Sequence, residues 1–236
     1  MENKKFSRFW ILRPSAIIIF SLLHTISFAD VVFIDDFADD DTKARFVIEA
    51  EDYSNRVSTD KGSWWEVDGK KNNFIEGPKV NEVASSFIGN VRNNYMMVLG
   101  SVNIGDIEPT DSSYDGPFLD YKILIKKPGE YNLHLRWIGR DNGTDSVYAF
   151  ILKPDNSLLV GSGPNYFLFH GRTWEVYGDW IWDNEGLQNR ISCAYAGRPD
   201  FASWYISEPG IYTIRLALRE IETAVDALVF QTSNLY

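Results

Sequence analysis

Residues 119–137 alternate apolar and polar side chains with a period of two, on both sides of a Pro-Gly turn. Leu119, Tyr121, Ile123 and Ile125 alternate with Asp120, Lys122 and Leu124. After Lys127-Pro128-Gly129-Glu130, the residues Tyr131, Leu133, Leu135 and Trp137 alternate with Asn132, His134 and Arg136. Successive side chains of a strand point to opposite faces, so this spacing predicts two half-buried antiparallel strands. In the turn, Pro presets φ at the first central position, and Gly accepts the positive φ that a type II turn needs at the second. The same device recurs at Glu208-Pro209-Gly210-Ile211, ahead of the alternating Tyr212, Ile214, Leu216 and Leu218. Further strands are predicted at 46–51, 95–99, 146–152, 166–169, 203–206 and 224–230. No window of twelve residues carries a helical stripe. Many short strands separated by turn signals predict an all-β sandwich or barrel. Residues 52–94, 100–117 and 183–202 read as long irregular loops, where binding residues concentrate on a rigid sandwich.

The first 29 residues have a different character. Lys4, Lys5, Arg8 and Arg13 precede an apolar run over 16–26, and Ser27-Phe28-Ala29 places small residues around a cleavage point after Ala29. That order predicts a secretory signal peptide over 1–29, and the apolar run is short of the roughly 20 residues that span a bilayer. The expected product is secreted, periplasmic or at the cell surface, with no membrane insertion after cleavage; an uncleaved anchor is the alternative. Residues 30–45, with Asp35, Asp36, Asp39, Asp40 and Asp41, read as a solvated acidic leader, and 46–236 as one domain. The chain carries 33 acidic and 23 basic residues, a formal net charge of −10. Nucleic acid as a partner is disfavoured, because that affinity comes from basic side chains neutralising phosphates. Cys193 is the only cysteine, so no intrachain disulfide forms, and rigidity has to come from the core or a metal ion. The 8 Trp, 12 Tyr and 15 Phe exceed what one core needs. Such a surplus suits stacking on flat ligands such as sugars.

Four segments in order resemble the carbohydrate-binding modules of families 6 and 35. Val47-Ile48-Glu49-Ala50-Glu51-Asp52-Tyr53-Ser54 resembles their opening strand. The stretch from Gly116-Pro117-Phe118 through Pro128-Gly129-Glu130-Tyr131 to Leu135-Arg136 resembles their central hairpin. Asp141-Asn142-Gly143-Thr144-Asp145-Ser146-Val147-Tyr148 resembles the loop and strand that follow. Pro209-Gly210-Ile211-Tyr212 through Arg219-Glu220 and Val225-Asp226-Ala227-Leu228-Val229-Phe230 resembles the closing strands. The resemblance covers most of 46–232. It implies a jelly-roll β-sandwich of two antiparallel sheets, a structural Ca²⁺ and polysaccharide binding, often beside a polysaccharide-degrading enzyme. This chain departs from the pattern in a longer 157–200 region and in Ala224, where the family often has an Asn that contacts sugar.

Glu49 and Glu51 are two residues apart, so on a strand both carboxylates share a face, and a close pair of like charges needs a counter-ion. Calcium takes six to eight hard oxygens, carboxylates among them. The resemblance adds Asp226 of the last strand to that set. A solvated pair on an edge strand is the bland alternative. For the ligand, the resemblance makes Phe201, in Phe201-Ala202-Ser203-Trp204, a stacking platform. Residues 166–182 are the most aromatic stretch, with Trp174, Trp180 and Trp182 alongside His170 and Arg172; either a sugar-binding wall or core packing accounts for these rings. Trp64 and Trp65 face opposite ways on a strand, which leaves Trp65 available on the outside. Asp141 and Asn142 suit sugar hydroxyls or simple turn formation.

The expected function is non-catalytic recognition of a polysaccharide or oligosaccharide. A small lyase or glycoside hydrolase using His170 with Arg172 and Tyr177 is one alternative, and a surface adhesion protein is another. No nucleophile-elbow, zinc-protease or phosphate-loop motif is present.

Overall fold

A computed structural model describes residues 31–37, 42–69, 73–75, 94–100, 114–139, 141, 143–159, 166–170, 180–188 and 200–233. The chain begins with β1 (Val32–Phe33), β2 (Arg45–Glu49), β3 (Asn55–Val57), β4 (Gly62–Asp68), β5 (Asn73–Phe74) and β6 (Tyr95–Gly100). It continues with β7 (Phe118–Ile125), β8 (Gly129–Ile138), β9 (Ser146–Leu152), β10 (Tyr166–His170) and β11 (Ile181–Asp183). It closes with β12 (Glu185–Gln188), β13 (Asp200–Phe201), β14 (Ser203–Ile206), β15 (Gly210–Leu218) and β16 (Ala224–Thr232). One sheet runs β1-β7-β15-β9-β10-β12-β13, with β3 also on β7. The other runs β11-β8-β16-β6-β4-β5, with β14 also on β8 and β2 on β16. These are the two sheets of the β-sandwich expected from the sequence. Among the described residues, all strand pairs are antiparallel except β1 with β7.

The period-two pattern decides what lies between the sheets. Leu119, Tyr121, Ile123 and Ile125 of β7 face Tyr131, Leu133, Leu135 and Trp137 of β8 across one buried core. Each outer face also carries a smaller cluster. Tyr148, Phe150, Tyr166 and Leu168 are sealed on the first sheet, and Val67, Tyr95, Met97 and Ile138 on the second. Part of the aromatic surplus is therefore spent on these outer clusters and not on ligand.

Several expectations change. The stretch 52–94 contains β3, β4 and β5, and 183–202 contains β12 and β13. β3, β5, β12 and β13 have four residues or fewer, too brief for alternation to stand out, and burial along the seven residues of β4 does not alternate strictly. The opening strand ends at Glu49, where Ala50 N donates to Asp226 O at 2.8 Å and Asp52 N donates to Glu49 O at 3.0 Å. The two Pro-Gly turns are not type II. Gly129 has φ 158°, near-extended backbone at the start of β8, and Gly210 is not among the described positive-φ glycines. At Gly210 the reason for glycine is space, because a Cβ there would lie 2.9 Å from the Pro154 ring. Part of the acidic leader is docked. β1 pairs with β7, and Lys127 Nζ bonds to Asp35 Oδ1 at 3.3 Å, to Lys43 O at 2.6 Å and to Phe37 O, so Asp35 is buried. Together β1 and β3 cover the edge of β7, which would otherwise be open to pairing with another chain.

Candidate functional site

Asp226 sits where β16 slips register against β8: Val225 faces Trp137, Ala227 faces Arg136, and Asp226 is the extra residue between them. The bulge turns its carboxylate toward Arg136, with which it forms an ion pair. Glu49 lies opposite Ala227 across β2 and β16. Glu51 follows in the turn, and its buried Oε2 has no hydrogen-bond partner among the described residues. Burial pushes the Glu51 carboxyl up to about 7, and the like charges of Glu49, Asp52 and Asp226 push the same way. Burial also raises Asp226, against the lowering influence of Arg136. The three acids named from sequence are thus electrostatic neighbours. Among the described residues, no three His, Cys, Asp or Glu are gathered as a ready-made metal centre. The group fits calcium in kind, being hard oxygens with one orphaned, destabilised carboxylate, although Arg136 already neutralises part of it.

The second feature is the edge along β8. β11 pairs with residues 135–137 of β8, and β14 with residues 129–132. From β11 the chain crosses at Asn184 into β12 of the other sheet. From β13 it crosses back at Ala202 into β14. The two crossings are stitched together. Ala202 N donates to Asn184 O at 2.7 Å, and Leu133 N donates to Ala202 O at 2.8 Å. Ala202, Trp204 and Ile206 are sealed in the core, so their alternates point outward. Phe201 is 60% exposed and Tyr205 57%. Trp182, opposite Arg136, is 53% exposed. Trp180 has the same parity as Trp182 but packs edge-on against Tyr95 at 5.0 Å, with Arg136 5.4 Å over its ring.

The remaining candidates scatter. His170 is only 7% exposed, with Nε2 3.6 Å from Asp145 Oδ1, so it lies in the interior and is not displayed on the surface. Its place opposite Ser146 at the end of β10 puts it beside a buried polar network. Asp141 is exposed and builds its own turn, accepting from Gly143 N at 3.1 Å. Trp65 does face outward, half-buried under Arg56 at 5.8 Å, while Trp64 is in the core. Trp174, Arg172 and Asn142 lie outside the described residues, as do Tyr177, Cys193 and the expected signal peptide.

No protein-family model and no curated protein matches this sequence. Among solved structures, the chain is similar to the C-terminal family 6 carbohydrate-binding module of a marine laminarinase from Zobellia galactanivorans. The identity there is 13% and the TM-score 0.39, covering 79% of this chain and 98% of that one. It is similar to a family 35 carbohydrate-binding module from Clostridium thermocellum, at 11% identity and a TM-score of 0.41, over 79% and 97% of the two chains. It is also similar to Arthrobacter globiformis isomalto-dextranase complexed with panose, at 10% identity and a TM-score of 0.41. That match covers 81% of this chain but spans only 23% of the dextranase.

Sequence reasoning did not single out Tyr205, and it left Trp182 undecided between wall and core. For Tyr205 a signal existed. It is the polar-side alternate of Trp204 and Ile206, a ring placed where the pattern calls for an outward residue.

Proposed function

We propose that this protein is a secreted, non-catalytic carbohydrate-binding protein that holds a polysaccharide on exposed aromatic rings and is stiffened by a structural calcium ion. The observation that carries the reading is Phe201, an exposed ring on a strand pinned by the buried Ala202 and by backbone bonds on both sides. A rigid ring covers the apolar C–H face of a pyranose at little entropic cost, and neighbouring polar groups select hydroxyls. In such a role the protein localises a polysaccharide-degrading enzyme or holds a cell to its substrate.

Affinity electrophoresis against a panel of soluble polysaccharides tests this. At least one polymer retards the wild type, and Phe201→Ala weakens that binding about tenfold, the loss of one stacking anchor. The melting temperature stays unchanged, since the side chain is exposed. Retardation by none of the polymers would overturn the reading. Release of reducing ends or of unsaturated products from the same panel would overturn its non-catalytic part.

For calcium, Glu49, Glu51 and Asp226 are the proposed carboxylate ligands. Chelation is expected to lower the melting temperature, and Asp226→Ala to abolish the chelator's effect. The pH dependence has a definite sign. Glu51 is raised from 4.5 to about 7 in the folded chain, so the metal-free fold holds its proton more tightly than the unfolded chain does. Its stability therefore falls as pH rises from about 4.5 to 7. A bound cation relieves that loss, so the chelator's effect is larger at pH 8 than at pH 5. Melting that is indifferent to chelator at both pH values would discard the ion.

A further inference from the structure

The stitched edge carries more than Phe201. Phe201 and Tyr205 are four residues apart, on either side of the crossing at Ala202, and the chain between them spans at most about 13 Å at 3.3 Å per residue. Trp182 lies opposite Arg136 and Tyr205 opposite Glu130, six residues apart on β8, on the order of 20 Å. Trp182 and Tyr205 both point to the outer face of their sheet, because Tyr131, Leu133, Leu135 and Trp137 point inward. At the level between them, the Phe201 strand crosses. Three half-exposed rings thus follow one edge, over a length that suits several consecutive sugars better than a single one.

The charges around this row decide what kind of chain fits. Among the described residues, the guanidinium groups of the outer face are engaged: Arg136 by Asp226, and Arg45 by Gln231 Oε1 at 2.9 Å and by the Phe37 ring at 5.3 Å. His134, in the row between them, is pushed toward its neutral form by burial and by Arg45. Glu130 stands on the same face, opposite Tyr205, and forms no ion pair among the described residues. A carboxylate within a Debye length, about 8–10 Å, repels uronate or sulfate groups, while it accepts hydrogen bonds from the hydroxyls of a neutral sugar.

We infer that Trp182 and Tyr205 extend the Phe201 platform into a binding row for an extended, uncharged glycan chain, and that the Glu130 carboxylate beside Tyr205 disfavours acidic glycans. This rests on the carbohydrate-binding reading above and adds to it two residues and a ligand class.

The test uses the full secreted chain in affinity electrophoresis and calorimetry. The neutral probes are a β-glucan, a dextran and a mannan; the acidic probes are polygalacturonate, alginate and a sulfated galactan. A neutral polymer is expected to bind, at least tenfold more tightly than any acidic one at 50 mM salt. Trp182→Ala and Tyr205→Ala are each expected to weaken polymer binding about tenfold. Both should leave the melting temperature and the binding of a disaccharide unit unchanged, and Trp182→Phe should recover most of the loss. Glu130→Gln is expected to narrow the gap between the neutral and acidic probes. Tighter binding of an acidic polymer would overturn the ligand class. Loss of binding in Phe201→Ala but not in Trp182→Ala or Tyr205→Ala would overturn the row and leave the carbohydrate reading standing. Binding to no probe of either set would remove both.

Discussion

Trp204→Ala is expected to lower the unfolding free energy by about 3–5 kcal/mol, the cost of truncating a large aromatic side chain in a packed core. Trp204 lies on the inner side of β14, 4.8 Å edge-on from Phe167 and 6.3 Å from Phe230, rings of the two opposing sheets. It therefore ties an edge strand to the core while Tyr205, the next residue, faces water. Against a typical total of roughly 5–15 kcal/mol, such a loss is a large fraction. Urea unfolding measures it. Tyr205→Ala is the control and should shift stability by no more than about 0.5 kcal/mol. A Trp204→Ala loss below about 1 kcal/mol would mean that β14 is not held by this contact, and the rigid presentation of Phe201 would lose its support.

Glu220→Ala is expected to cost a similar amount, about 3–5 kcal/mol, by leaving buried charge and donors uncompensated. Glu220 Oε2 accepts from Ser146 Oγ at 2.5 Å and from Asp145 N at 3.1 Å, and Oε1 accepts from Arg219 Nη1 at 2.5 Å. Arg219 also donates to Ser146 Oγ at 2.7 Å. Burial opposes the charge on Glu220, but the Ser146 bond, Arg219 and the Asp145 contact outweigh it and hold the carboxyl below its usual range. A depressed folded pKa contributes stability that is complete above the unfolded value and is lost as pH falls through the folded one. Wild type should thus lose stability on acidification below pH 4.5, and Glu220→Gln should lack that share of the loss. Equal acid sensitivity in the two proteins would count against the ionised network. Glu51 has the opposite sign, so the two carboxylates bracket the pH range in which the fold is firmest.

The period-two alternation of 119–137 and 210–218 was enough to place two sheets and to say which rings fill the space between them. That inference is local, since side-chain direction in a strand follows from backbone geometry alone. The same rule puts Phe201 outward once Ala202 and Trp204 are inward. Spacing paired Glu49 with Glu51, but the addition of Asp226 came from resemblance, because it joins the first and last strands of the sheet. Parity could not separate Trp180 from Trp182. One meets Tyr95 of a strand 85 residues earlier and the other meets solvent beside Arg136. His170 read as an available base, yet the end of β10 sets it against Asp145 in the interior. In each of these cases the outcome depends on which distant strand is the neighbour. Hydrogen-bond registers between segments far apart in the chain fix that choice, and no window of the sequence contains both partners.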